Sequence, residues 1–228
     1  MELFVILSYF FAAMTVIMTF LYQFAPPFRK KLLLSKMLSS ASFLLTGIFA
    51  AFTKPSTYSY CILAALFLCF IGDFFLDYKS GKTFFVGVIF FSLGHLTYIP
   101  TFLKICSPSL APYIIHMIVL FFIIVIMGII HIKADKIKFE GKFKVMYLYS
   151  LLLIVSFVVS ALRGATSFIS GSRTFGCCLA IGGAMFMVSD AFLASELFGR
   201  PKLKRTDAGV AIAYFPAQAL FALSILFI

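Results

Sequence analysis

Residues 58–77 read YSYCILAALFLCFIGDFFLD. Fifteen residues pass before the first charge, Asp73. An α-helix rises ~1.5 Å per residue, so a stretch of this length spans ~30 Å, the thickness of a bilayer's hydrocarbon core. Lys54-Pro55 stands before the stretch and Gly81 after it. Both are helix-stop signals. Working outward from this segment, apolar runs recur between breaks of the same kind. The expected spans are 3–24, 36–53, 58–77, 83–103, 112–132, 145–162, 175–198 and 208–227. Pro26-Pro27 closes the first, Pro108 and Pro112 bracket one turn, and Gly199-Arg200-Pro201 closes the seventh.

Composition agrees. The 228 residues are 63% apolar and 12% charged, with a mean hydropathy of +1.10. A soluble domain of this length is about half apolar and a quarter charged. The expectation is an all-α integral membrane protein. Residues 1–228 form a single domain of eight transmembrane helices, with no room for a separate soluble domain. The first apolar stretch lacks a basic leader and is followed by a basic cluster, so it is read as a retained span. The five cysteines show no metal spacing and read as small apolar residues.

The net charge of +11 does not point to nucleic acid, because the basic residues lie in short loops. Fifteen of the nineteen fall in or beside loops 1–2, 3–4, 5–6 and 7–8. Lys54, Lys104, Arg163 and Arg173 fall on the other side. This bias places the first set of loops in the cytoplasm and both termini outside. The host is the cell membrane if the source is bacterial, the endoplasmic reticulum if it is eukaryotic. A short similarity links Asp73-Phe74-Phe75-Leu76 to Asp190-Ala191-Phe192-Leu193, and Tyr98-Ile99-Pro100 to Tyr214-Phe215-Pro216. It admits a parallel 4+4 duplication.

Ionisable groups inside a span cost ~2.5–3.5 kcal/mol at its centre on insertion scales, so each is a functional hypothesis. Few are present. Asp73 lies ~6 Å and Asp190 ~12 Å before the ends of their spans, His95 ~18 Å after the start of its own, and Tyr214 and Gln218 ~9–15 Å into the last. Lys36 opens the second span. Facing inward, these groups share one half of the bilayer and build a polar pocket from five helices. Asp77 and Glu196 read as interfacial, and Gly182, Gly183 and Ala184 as close-packing positions. His116 and His131 are ~22 Å apart along one rod, too far to share a zinc whose ligands lie ~2 Å away. No metal site and no cofactor is expected, although a carboxylate-only site for a divalent ion stays open. No Gly-x-Ser-x-Gly nucleophile motif occurs.

At these residues the chain resembles the YhhN-type lysoplasmalogenase family of multi-pass membrane proteins. The matching segments are Gly72-Asp73-Phe74-Phe75-Leu76, Gly94-His95-Leu96-Thr97-Tyr98, Gly183-Ala184-Met185-Phe186-Met187-Val188-Ser189-Asp190 and Ala213-Tyr214-Phe215-Pro216-Ala217-Gln218. Lys36 stands where the family has a Lys, but Met37 replaces the Pro often found after it. Asp77 stands where relatives carry an apolar or aromatic residue. The resemblance implies hydrolysis of the vinyl ether bond of lysoplasmalogens to a fatty aldehyde and a glycerophospho head group.

Acid hydrolysis of a vinyl ether delivers a proton to the carbon β to oxygen, and water then adds to the oxocarbenium ion. Two carboxylates in unlike environments divide the acid and base roles. The deeper Asp190 is the expected acid, and Asp73 the base or electrostatic stabiliser, with the reverse assignment open. His95 is catalytic with them. Tyr98, Tyr214 and Gln218 orient the carboxylates and the ether oxygen, and Lys36 meets the lipid phosphate. The partners implied are a lysophospholipid substrate and membrane lipids, with the oligomeric state open. The alternatives are a small proton-coupled transporter and a non-catalytic lipid-binding protein.

Overall fold

The computed structural model describes residues 1–25, 32–77, 81–104, 143–198 and 206–228. Among them are seven helices long and apolar enough to cross a membrane. They are α1 (Glu2–Phe24), α2 (Leu32–Thr53), α3 (Thr57–Asp77), α4 (Gly81–Lys104), α5 (Phe143–Ile169), α6 (Arg173–Phe198) and α7 (Thr206–Ser224), the last followed by a 3-10 turn, Ile225–Phe227. No strand occurs among the described residues. The described residues are therefore all-helical, and their seven apolar helices are those of a multi-pass membrane protein. The expected span 112–132, with His116 and His131, lies outside the described residues, as do the side chains of Asp77 and Glu196.

Two boundaries depart from expectation. α2 begins at Leu32, so Lys36 sits one turn inside the helix and not at its opening. α5 continues through Arg163 to Ile169. Arg163 was expected to lie beyond the end of a span at 162. A long arginine side chain can remain on a membrane helix while its head group finds a polar environment. α4 and α7 run unbroken through Pro100 and Pro216.

The helices tolerate many hydroxyls because they bond to their own backbone. Ser8, Thr15, Ser42, Thr46 and Thr101 each donate to the carbonyl four residues earlier, at 2.6–2.9 Å. In a medium without water this satisfies the hydroxyl inside its own helix. On α1 the buried positions are Ser8, Ala12, Thr15, Thr19 and Gln23, a single stripe of small or polar residues. Leu3, Ile6, Phe10, Ile17 and Phe20 point outward. That inverted pattern is expected where lipid is the solvent and close packing holds helices together.

Sequential helices are antiparallel neighbours wherever the turn between them is short. Phe4 stacks on Phe49, Phe75 on Phe90, and Gly164 lies against Gly176. α7 packs against α1, α2, α3 and α6, and is the most enclosed helix. One end of the bundle gathers both termini. There the Lys54 ammonium donates to the Ile228 carbonyl oxygen (3.1 Å), Tyr58 bonds Ser224 (2.6 Å), and the Tyr58 ring meets Phe175. α4 finishes at this end, whereas α5 begins at the opposite one. The opposite half holds the polar groups.

Candidate active site

Asp73 is 2% exposed, four residues before the end of α3. Two neighbouring helices supply its partners. Lys36 and Ser40 are four residues apart and so share one face of α2. Ser40 Oγ donates to Asp73 Oδ2 at 2.7 Å. The Lys36 ammonium donates to the Asp73 backbone oxygen at 2.9 Å and lies 3.9 Å from Oδ1. From α7, Tyr214 donates its hydroxyl to the same Oδ2 at 2.9 Å. An ionised carboxylate only accepts, so each of these donors can point at it. Asp73 is thus a buried carboxyl group with the Lys36 ammonium beside it and two hydroxyls donating to it. Beside it, Gly72 lets α4 approach: a Cβ there would stand 2.8 Å from the Phe91 ring.

Asp190 is half-buried on α6. Its Oδ2 accepts a hydrogen bond from the Tyr149 hydroxyl of α5. The adjacent Ser189 donates to the Val210 carbonyl of α7 at 3.1 Å, which pins this turn of α6. One turn and more above, Gly183 meets Ser160 of α5, and a Cβ at Gly182 would touch the Phe221 ring at 3.0 Å. The small residues before Asp190 therefore act as close-packing positions, as the sequence suggests.

An aromatic wall joins the two carboxylates. The Tyr214 ring, bonded through its hydroxyl to Asp73, meets Phe186 edge-on at 5.4 Å. Phe186 meets the His95 imidazole at 4.8 Å, and His95 lies 5.9 Å from the Tyr149 ring, whose hydroxyl holds Asp190. Tyr98, one turn from His95, donates to Gln218 Oε1 at 2.7 Å. His95 is 2% exposed and Gln218 fully buried, yet both His95 nitrogens and Gln218 Nε2 have no hydrogen-bond partner. Each buried polar group left unpaired costs about 1–3 kcal/mol. Buried polar groups without a partner call for an explanation, such as an ordered water or a catalytic role.

All seven residues expected from the sequence therefore meet in one region: Lys36, Asp73, His95, Tyr98, Asp190, Tyr214 and Gln218. They come from α2, α3, α4, α6 and α7. Ser40 and Tyr149 complete the region and were not foreseen. Ser40 was detectable as the residue one turn from Lys36. Tyr149 lies ~9 Å into α5 and Asp190 ~12 Å from the end of α6, a match in depth that pairs them. The hydrogen bonds do not follow the duplication suggested by the sequence, since Tyr214 bonds Asp73 but its counterpart Tyr98 bonds Gln218. Among the described residues, no three His, Cys, Asp or Glu side chains come together as a metal ligand set.

Chemically, the arrangement offers one carboxylate saturated with donors, a second held by a single donor, and an unpaired imidazole between them. Groups of these kinds can give and take protons, and aromatic rings wall them in. A family model described as the YhhN family matches residues 31–225, which include every residue of this site. Searches of curated proteins and of solved structures each found no match. Over most of its length, and through all of its buried polar cluster, the chain is a member of the YhhN family.

Proposed function

We propose that the protein is a membrane hydrolase that cleaves the vinyl ether bond of lysoplasmalogens, releasing a fatty aldehyde and a glycerophospho head group. Membership of the YhhN family suggests a lysoplasmalogenase-like activity. The observation that carries the reading is the unequal treatment of two carboxylates in one buried region. Asp190 has one donor, so its other oxygen is free to carry a proton to the substrate. Asp73 has two hydroxyl donors and an ammonium, which suits a permanent anion. Asp190 is the general acid. Asp73 stabilises the positive charge that develops on the ether oxygen. Fixed charge aimed at the developing charge of a transition state, in a dry site, is a large source of rate enhancement.

Lys36 is turned onto Asp73, so its role begins there. Its side chain is 14% exposed, and in the proposal its ammonium also meets the lipid phosphate. Tyr98 and Gln218 position the floor of the site. Apolar walls from α3, α4 and α6 hold the alkenyl chain.

The full topology is part of the proposal. The described chain leaves the terminal end at Lys104 and re-enters at the opposite end at Phe143, which calls for an odd number of crossings between them. The apolar run 112–132 is proposed as that crossing, which makes eight spans in the proposal. By the positive-inside rule, the proposal has the site in the cytoplasmic half and both termini outside.

The test is substrate discrimination by purified protein. Lysolipids with a vinyl ether, a saturated ether or an ester at the same position are incubated in turn, and products are identified by mass spectrometry. Aldehyde from the vinyl ether alone supports the reading. Fatty acid from the ester and nothing from the vinyl ether would replace it with a lysophospholipase.

A further inference from the structure

Three polar atoms of the site remain unused once its hydrogen bonds are assigned: His95 Nδ1, His95 Nε2 and Gln218 Nε2. The His95 ring is enclosed by Phe186, Tyr149 and Tyr98, with centroids at 4.8, 5.9 and 6.5 Å. None of these rings hydrogen-bonds it. The Tyr98 hydroxyl fixes Gln218 by its carbonyl oxygen, and the amide nitrogen lies near Cys69 and Tyr214 with hydrogens to donate. A neutral imidazole presents one donor and one acceptor, and the amide nitrogen presents donors only. The complement to this set is a small molecule that both donates and accepts. Buried waters have this character and make about three bonds to otherwise unpaired groups.

The geometry points to His95 as the residue that holds and deprotonates the attacking water, with Gln218 Nε2 as its second hold. This deepens the vinyl ether reading and rests on it. Asp190 first gives its proton to the β carbon, the C=C π pair forming the new C–H bond and leaving an oxocarbenium ion. Water held by His95 then adds its lone pair to the α carbon while the imidazole takes its proton. The hemiacetal collapses as its hydroxyl proton passes to the Asp190 carboxylate, restoring the acid, while the C=O bond forms, the C–O bond to glycerol breaks and the glycerol oxygen takes the proton held by His95. The sum is vinyl ether plus water to aldehyde plus alcohol. Asp73, already encircled by donors, is not asked to accept a proton.

The order of steps gives a readout other than rate. If water capture fails, the oxocarbenium ion returns its proton to Asp190, and in heavy water the β carbon acquires deuterium. Wild type, His95→Gln, His95→Asn and Gln218→Leu are each given a lysoplasmalogen in D2O, and aldehyde and residual substrate are measured by mass spectrometry. The expected result is aldehyde release lowered about 100-fold or more in both His95 variants, in line with the loss of a general base. Their residual substrate carries deuterium, and wild-type residual substrate does not. Gln218→Leu shows a smaller loss with the same label. Using two His95 variants, each checked by thermal unfolding, separates misfolding from chemistry. Wild-type turnover in either His95 variant, or lost turnover with unlabelled substrate in folded protein, overturns the assignment. An active wild type with such a result leaves the lysoplasmalogenase reading intact; an inactive wild type removes both.

Discussion

The hydroxyl of Tyr214 donates to Asp73 Oδ2 at 2.9 Å, although 141 positions separate the two residues. Tyr214 sits on the most enclosed helix of the bundle, and its ring also faces Phe43, Phe91 and Phe186. The central helix thus fixes the carboxylate of α3 directly. Ser40 approaches the same oxygen from α2 at 2.7 Å, so three helices converge on one atom.

Removing that donor has a defined consequence. Tyr214→Phe keeps the ring in its aromatic contacts and deletes only the hydroxyl. A buried hydrogen bond to a charged group contributes about 1.5–3 kcal/mol, so stability falls by a similar amount and aldehyde release by about tenfold. Thermal unfolding and a turnover assay on the same preparation check both.

Lys36 and Asp73 behave as a unit. Lys36→Met removes the ammonium that lies 3.9 Å from a buried carboxylate, at a cost of about 3–5 kcal/mol. Asp73→Asn in the same background recovers part of it. A double-mutant cycle on unfolding free energy gives a coupling of at least ~0.5 kcal/mol between the two sites. Strict additivity would deny the pairing.

The second carboxylate differs in kind. Tyr149→Phe leaves Asp190 its free oxygen and lowers turnover, whereas Asp190→Asn removes the acid and abolishes aldehyde release. Combining them costs no more than Asp190→Asn alone, because residues acting in one step are not additive. Steady-state kinetics on the three variants checks this.

Packing makes a prediction of its own. Gly183 faces Ser160 with no room for a Cβ. Gly183→Val forces α5 and α6 apart about two turns from Asp190 on α6. Overpacking of this sort costs about 1–3 kcal/mol. Melting temperature falls, while far-ultraviolet circular dichroism keeps its helical shape.

Much of this arrangement was legible in the sequence, and the reasons are specific. Asp73, His95 and Asp190 stand out because ionisable groups are scarce in apolar runs, and their depths follow from helix rise alone. The Gly182-Gly183 pair signals close approach for the same reason. Ser40 was hidden among Ser35, Ser39, Ser42 and Thr46 on one helix. Most of α2's hydroxyls bond to their own backbone, and only tertiary packing shows that Ser40 also reaches Asp73. Tyr149 was hidden because tyrosines are common near helix ends at a membrane interface. Its partner is decided by how α5 docks on α6. The extension of α5 past residue 162 was missed because Arg163 reads as a boundary, while the long side chain lets the helix pass.

The most direct measurement is aldehyde release from a lysoplasmalogen by purified protein, alongside Asp73→Asn and Asp190→Asn of equal thermal stability. Rapid release by the unaltered chain and loss in both variants is the predicted outcome. Undiminished release by folded Asp190→Asn would contradict the shared carboxylate chemistry on which the account rests.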